Sequence, residues 1–222
     1  MKNNRLRYAA TDISWGGLIG MAWYIPIFTL IYIAIFYIFG SAELDNLSYT
    51  SIGFNANTVF LLVMGIIIGS YYIKWGITLG VTRKQYYKAN LLSGITITFL
   101  LTAVVVIIGF LVSLLPFVGS EASEQWENIN PFLNVMISFV TAYGAYLAGT
   151  LIGTGFYRNA WYGTLAIVIT VLGSYVTGII DPLFVDFFGM TEGLGALMLS
   201  ILMVVVLAAL NFMFVRNIVI RI

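Results

Sequence analysis

The chain contains no cysteine and no histidine, and each absence removes a class of chemistry. Without cysteine there is no disulfide, thiol nucleophile or iron–sulfur ligation. Without histidine the commonest metal ligand and the usual proton shuttle near neutral pH are missing. No Gly-Lys dipeptide occurs either, so a phosphate-binding P-loop is excluded. We therefore expect a protein that is not an enzyme and that binds no metal or cofactor itself.

Charge is also scarce: 9% of the residues are charged and 61% are hydrophobic, with a mean hydropathy of +1.00. The residues without charge form long stretches, at 13–42, 46–73, 89–120, 128–157, 159–180 and 193–215. Each is longer than the roughly 20 residues that a helix needs to cross a bilayer. We therefore expect an all-α polytopic membrane protein, a single domain over residues 1–222. Its six transmembrane helices are predicted at about 20–39, 57–79, 90–115, 131–155, 161–180 and 194–214.

The few charges alternate in sign between these stretches. Lysine and arginine cluster at 2–7, 74–88, 158 and 216–221, whereas the acidic clusters lie at 43–45, 121–127 and 181–192. Basic loops stay on the cytoplasmic side of a membrane. The pattern predicts a multi-pass protein of the cytoplasmic (plasma) membrane, in contact with lipid and not nucleic acid, with both termini cytoplasmic. Every acidic residue except Asp12 falls outside, so no ionisable side chain lies deep in a span, which disfavours proton coupling through a buried carboxylate.

The segment before the first span has a helical pattern of its own. Leu6, Ala9, Ala10 and Ile13 repeat at helical spacing, opposite a more polar side. This favours an interfacial helix over about 5–14, ending near Gly16-Gly17. The alternative is that these residues extend the first span.

Small residues recur four positions apart in two of the predicted spans. The second span carries Gly65-x-x-x-Gly69, and the fourth carries Ala145, Gly149 and Gly153. This spacing lets helix backbones approach closely, so we expect these residues to pack helices together. A smooth wall facing a substrate path is the alternative for the fourth span.

The acidic segment 181–192 is unusually apolar for an outer loop. Pro182 is followed by Phe184, Phe187 and Phe188 along one helical face. Such a segment is expected to dip into the membrane or lie on its surface.

The basic loop between spans two and three has the strongest local signals. Gly80 is suited to a left-handed turn at the end of span two. Residues 82–85, Thr-Arg-Lys-Gln, match a capping box with Thr82 as N-cap and Gln85 at the third helical position. A short helix over about 82–88 is predicted, which displays Arg83, Lys84, Tyr86, Tyr87 and Lys88. It is either a basic loop that sets topology or a docking helix for a cytoplasmic partner.

Residues 80–87, Gly-Val-Thr-Arg-Lys-Gln-Tyr-Tyr, resemble the G-[VI]-[ST]-R-x-x-[FY] segment that follows the second span of ABC type-2 exporter permeases. The similarity extends to the predicted architecture of nearly the whole chain. It implies that Gly80 to Lys88 form a coupling helix against a separate ATPase subunit, which binds ATP and magnesium. It further implies a minor ATPase contact at Arg158, in the turn 157–159. Segment 181–192 would then be the outer gate, and a second permease chain, identical or related, would complete the transporter.

The resemblance implies export by alternating access, and the lack of fixed charge in the spans suits hydrophobic or amphipathic cargo such as a peptide, an antimicrobial or a lipid-like molecule. Polar contacts to that cargo are expected from hydroxyls, namely Thr141, Thr170, Ser174 and Thr177. Two other classes stay open: the substrate-binding membrane module of an importer, and a carrier or scaffold that is not driven by ATP.

Overall fold

The computed structural model describes residues 2–39, 49–78, 80–114, 131–173 and 192–216. Within these ranges the chain is helical apart from short turns, and it contains no strand. The helices are α1 (Lys2–Phe39), α2 (Tyr49–Ile67), α3 (Ile73–Thr78), α4 (Arg83–Ser113), α5 (Pro131–Arg158), α6 (Ala160–Gly173) and α7 (Glu192–Arg216). A π-helical segment, Ile68–Tyr72, joins α2 to α3 without a break.

Five helical stretches are long and apolar enough to cross a membrane: Leu6–Ile35, Tyr49–Gly76, Arg83–Val112, Pro131–Arg158 and Gly193–Arg216. By length and composition, the predicted all-helical, multi-pass membrane architecture is confirmed. The fifth predicted span corresponds to α6, which is described only as far as Gly173. Residues 174–180 lie outside the described part of the chain.

Two helix starts can be compared with the predicted boundaries. The helix α5 begins at Pro131, as predicted, because proline lacks only an N–H that the first helical turn leaves unpaired. By contrast, α2 begins at Tyr49 rather than near residue 57. Its first turn is stabilised by packing on α1, where the hydroxyls of Tyr49 and Thr29 lie 2.9 Å apart.

The predicted separate helix over 5–14 is instead the first part of α1, which runs unbroken through Gly16-Gly17. Both glycines serve close packing: a Cβ atom on Gly16 would overlap the hydroxyl of Tyr72, and one on Gly17 would overlap the side chain of Ile97. The glycine pair therefore marks a contact with other helices and not a turn.

The predicted coupling helix, 82–88, is likewise not separate from span three. It forms the first turns of α4, which is continuous from Arg83 to Ser113. At the expected junction Ala89 and Asn90 are buried, and Asn90 Oδ1 accepts a 2.6 Å hydrogen bond from the hydroxyl of Tyr146 on α5. Packing on α5 thus holds the helix together where a break was expected.

The helix α5 forms the core of the bundle. All of its residues from 142 to 155 are buried except Ala145. The helices α2 and α7 pack on it, while α1 packs chiefly on α4. A helix that is apolar on all sides is typical of such an enclosed position.

Candidate functional site at the basic end of the bundle

One end of the bundle carries every lysine and arginine whose side chain the structure describes. A hydrogen bond from Ser93 to the carbonyl of Ala10 joins the N-terminal parts of α4 and α1, and one from Arg83 to the carbonyl of Arg216 joins α4 to the end of α7. The helix α3 also contacts α4, and the π segment before α3 packs on α5 near Thr154. The described cations at this basic end are Arg7, Lys74, Arg83, Lys84, Lys88, Arg158 and Arg216. Those of α4 belong to the predicted docking region, residues 80–88.

The turn before α4 has the predicted geometry at Gly80. Its φ angle is 73°, in the left-handed region, and the N–H of Val81 donates a 2.9 Å hydrogen bond to the carbonyl of Gly76. This six-to-one bond is the Schellman arrangement that commonly ends a helix at glycine. The predicted left-handed turn is confirmed.

The predicted capping box at the start of α4 is also confirmed. The Thr82 hydroxyl accepts a bond from the backbone N–H of Gln85 at 3.3 Å, and Gln85 Oε1 accepts one from the backbone N–H of Thr82 at 3.1 Å. Two donors that the helix start would leave unpaired are thus satisfied. The capping box therefore defines the residue at which α4 begins, Arg83.

Tyr86 is a correction to the predicted docking residues, because its side chain is only 1% exposed. Its hydroxyl donates a 2.9 Å hydrogen bond to the carbonyl of Ile68, the first residue of the π segment. Tyr86 therefore joins α4 to the π segment from inside the bundle and is not available to a partner. π-helical turns of this kind are frequent at functional sites.

Arg83 and Tyr87 share a face, as predicted from their spacing, but that face contacts α7. Arg83 Nη1 lies 3.1 Å from the carbonyl of Arg216. The hydroxyl of Tyr87 donates a 2.9 Å bond to the carbonyl of Ala208, and its ring packs edge-on against Phe212. The exposed residues of the predicted docking region are accordingly Gly80, Thr82, Arg83, Lys84 and Lys88.

A groove of about 860 Å³ opens beside this helix start. It is lined by residues from three helices and the turn before α4, namely Leu6, Thr82, Arg83, Lys84, Gln85, Lys88, Phe212, Val215 and Arg216. The lining contains four cations and no acidic side chain. The N-terminus of α4 adds partial positive charge, so the groove favours an anion.

Arg158, the predicted minor contact, lies at the basic end but does not line the groove. Its guanidinium carbon is 4.2 Å from the ring centroid of Tyr162, which makes a cation–π contact. Asn159 alone separates α5 from α6, and the N–H of Gly163 bonds back to the carbonyl of Asn159. This tight connection keeps Arg158 beside the first turn of α6.

The small residues of spans two and four meet one another. A Cβ atom on Gly65 would lie 3.0 Å from Gly149 Cα, and one on Gly153 would lie 3.1 Å from Gly69 Cα. The two four-residue repeats therefore face each other in register, with backbone against backbone. Ala145, one turn before Gly149 on α5, lines a pocket beside this crossing.

That pocket, of about 240 Å³, lies between α2, α5, α6 and α7. It is lined by Thr58, Leu62, Val140, Thr141, Gly144, Ala145, Ala148, Thr170, Ser200, Met203 and Leu207. The hydroxyls of Thr141 and Ser200 are 3.4 Å apart, so the otherwise apolar wall has a local polar strip. Thr141 and Thr170, predicted as polar contacts for cargo, both lie here, whereas Ser174 and Thr177 lie outside the described residues.

Sequence reasoning missed the buried amides that join the helices. Asn211 on α7 donates to the carbonyls of Leu147 and Leu207 at 2.8 and 3.0 Å, and its oxygen accepts from the hydroxyl of Thr150 at 3.1 Å. Asn57 accepts from the hydroxyl of Tyr24, while its Nδ2 has no partner in the described structure. The signal in the sequence was an isolated asparagine within an otherwise apolar stretch. Such a side chain needs a hydrogen-bonding partner when it lies within a membrane.

The predicted outer-gate residues Pro182, Phe184, Phe187 and Phe188 lie outside the described residues. Among the residues that are described, no three acidic, histidine or cysteine side chains are grouped as metal ligands. Comparison with family models, with curated proteins and with solved structures finds no match for this chain.

Proposed function

We propose that this chain is the membrane-spanning subunit of an ATP-driven exporter of the ABC type-2 class. In this proposal it has six spans, both termini are cytoplasmic, and the first turns of α1 lie at the cytoplasmic membrane surface. Two permease chains, identical or related, pair and bind two ATPase subunits, which carry ATP and magnesium. The support is the resemblance of residues 80–87 to the family's segment, together with the capped helix start found there.

The observation that carries the proposal is the mechanical connection of the exposed start of α4. Lys84 is exposed in its first turn, while the next turn is attached to other helices by Tyr86 and Tyr87. Because α4 is continuous to Ser113, a push at Lys84 moves a whole span. The same push reaches the π segment through Tyr86 and α7 through Tyr87. ATPase closure is thereby converted into helix movement.

The pocket between α2, α5, α6 and α7 supports hydrophobic or amphipathic cargo. Its lining is uncharged, and its hydroxyls offer a few hydrogen-bonding positions within an apolar wall. Sites for small ligands generally have this composition. Ala145 and Gly144 keep that wall smooth. This agrees with the alternative role considered for the small residues of the fourth span, a smooth wall facing a substrate path.

The same pocket also favours a second candidate, the substrate-binding membrane module of an importer. Such a module would use the hydroxyl-lined pocket without needing export-type coupling through α4. The two candidates therefore differ at Lys84: the exporter needs it for ATPase binding, and a pocket-centred function does not.

The test is affinity purification of the full chain from its own host in mild detergent, with quantification of any co-purified P-loop ATPase by mass spectrometry. We expect a stoichiometric ATPase with the wild-type chain. Lys84→Glu should lower the yield at least about tenfold, since a reversed charge in an interface costs several kcal/mol. Lys74→Glu is the matched control, because Lys74 is an exposed cation of the same end that lies outside the groove.

Two results would contradict the proposal. One is a wild-type chain that purifies without an ATPase. The other is an ATPase yield that Lys84→Glu and Lys74→Glu lower equally, which would show a general effect of charge and no docking at α4.

A further inference from the structure

The groove at the basic end gathers cations from distant parts of the chain. Arg83, Lys84 and Lys88 come from α4, and Arg216 comes from the end of α7. The acidic residues within the described ranges are Asp12 and Glu192, and neither lines the groove. Basic residues are generally preferred at the cytoplasmic face of a membrane protein, which explains why the groove residues are positively charged. It does not explain why four of them line the same cavity.

These cations lie on helices: three at the start of α4 and one at the end of α7. The capping box defines the first turn of α4, and Arg83 is held by its hydrogen bond to the carbonyl of Arg216. Lys88 is one helical turn from Lys84, so both lie along the same side of α4. A ligand that binds here meets one guanidinium, that of Arg83, already positioned, which reduces the entropy lost on binding.

Apolar side chains share the groove with the cations. Leu6, Phe212 and Val215 belong to α1 and α7, whose adjoining segments are apolar enough to span a membrane. A small inorganic anion would contact only the cations and fill little of about 860 Å³. A phospholipid matches both parts, since its phosphate faces the cations while its glycerol and upper acyl chains cover the apolar side chains.

From this combination we propose that the groove binds the headgroup of an anionic phospholipid. The proposal goes beyond the transport function and does not depend on it, because it concerns the isolated chain without an ATPase. Lys88 and Arg216 are the cations chosen to test it, since Lys84 serves the test of ATPase binding.

The experiment is native mass spectrometry of the purified full chain in neutral detergent, titrated with dioctanoyl phosphatidylglycerol or dioctanoyl phosphatidylcholine. We expect tighter binding of the anionic lipid. Lys88→Gln with Arg216→Gln should weaken it by at least roughly tenfold, because each cation near a membrane surface contributes measurably to anionic-lipid binding. Lys74→Gln with Arg158→Gln removes two cations of the same end outside the groove, and should change binding by less than about twofold.

Several outcomes would overturn the proposal: equal binding of the two lipids, or equal losses in the two double variants. Displacement of phosphatidylglycerol by inorganic phosphate at matched concentration would assign the groove to a free anion, and displacement by a glutamate-rich peptide would assign it to a protein partner. Circular dichroism checks that each variant is folded. If the groove variant is not, Lys88→Gln alone is expected to weaken binding several-fold, and unchanged binding there would overturn the proposal.

Discussion

At the scale of single residues, the most constrained positions are the four glycines where α2 and its π segment cross α5. Four residues of helix rise about 6 Å, so repeats with the same spacing on two helices can meet twice in succession. Gly65 meets Gly149, and Gly69 meets Gly153. In lipid there is little hydrophobic drive between helices, and such close backbone packing takes its place.

Gly149→Ala is predicted to destabilise the protein by about 1–3 kcal/mol, because the new methyl group would overlap the carbonyl of Leu62 and lie 3.0 Å from Gly65 Cα. The matched control is Gly144→Ala on the same helix, where the Cβ atom would meet only Val204 Cγ2, at an ordinary 3.5 Å. Thermal unfolding in detergent should show a lower midpoint for Gly149→Ala alone. Equal midpoints for the two variants would mean that the crossing is looser than described.

The tyrosines after the capping box show what short-range pattern leaves undecided. Tyr86 and Tyr87 are adjacent and were both predicted at a docking surface. Tyr86 is buried against the π segment, whereas Tyr87 is half-buried against α7. Successive helical residues point about 100° apart, so the orientation of α4 between two neighbouring helices decides which tyrosine is enclosed.

At the scale of elements, α4 has a sharply defined start at Arg83 and continues without a break to Ser113. Its N-terminal signals act within one turn, which is why Gly80, Thr82 and Gln85 could be interpreted from sequence. Its continuation past Lys88 could not, because it depends on contacts of Ala89 and Asn90 with other helices. The helix α1 is continuous for the same reason, because Gly16 and Gly17 pack against side chains of other helices.

Thr82→Ala is predicted to loosen the first turn of α4 by about 1 kcal/mol, because it removes the hydroxyl that caps the N–H of Gln85. Hydrogen exchange should show faster exchange at the amides of residues 83–86, with little change in the middle of α4. Thr82→Ser keeps the capping hydroxyl and is the control. If Thr82→Ser and Thr82→Ala exchange alike, the cap does not stabilise this turn.

At the scale of the whole molecule, buried polar side chains connect helices whose surfaces are otherwise apolar. Asn90 joins α4 to α5, and Asn211 joins α7 to α5 through Thr150 and the carbonyl of Leu147. Each such bond in a membrane protein contributes modestly, about 1 kcal/mol. Their directionality selects among helix arrangements that nonpolar packing alone would not distinguish.

The orientation of the molecule can be tested directly because the chain has no native cysteine. We predict that a membrane-impermeant maleimide labels Ser123→Cys in intact cells, since the acidic cluster 121–127 is expected outside. Lys84→Cys should be labelled only after the membrane is permeabilised, since the basic end is expected inside. If Lys84→Cys were labelled in intact cells as strongly as in permeabilised cells, the basic end would lie outside. A cytoplasmic ATPase could then not reach it.

Composition and short-range pattern by themselves determined the all-helical membrane class, the Gly80 turn, the Thr82 cap and the start at Pro131. These properties depend on average apolarity or on neighbours within one helical turn. Only the tertiary structure decided that the two glycine repeats face each other, that Tyr86 is enclosed, and that Lys88 and Arg216 line one groove. The physical reason is that spans apolar on nearly every side carry little sign of which face points inward, so helix rotation is set by packing and by a few buried hydrogen bonds.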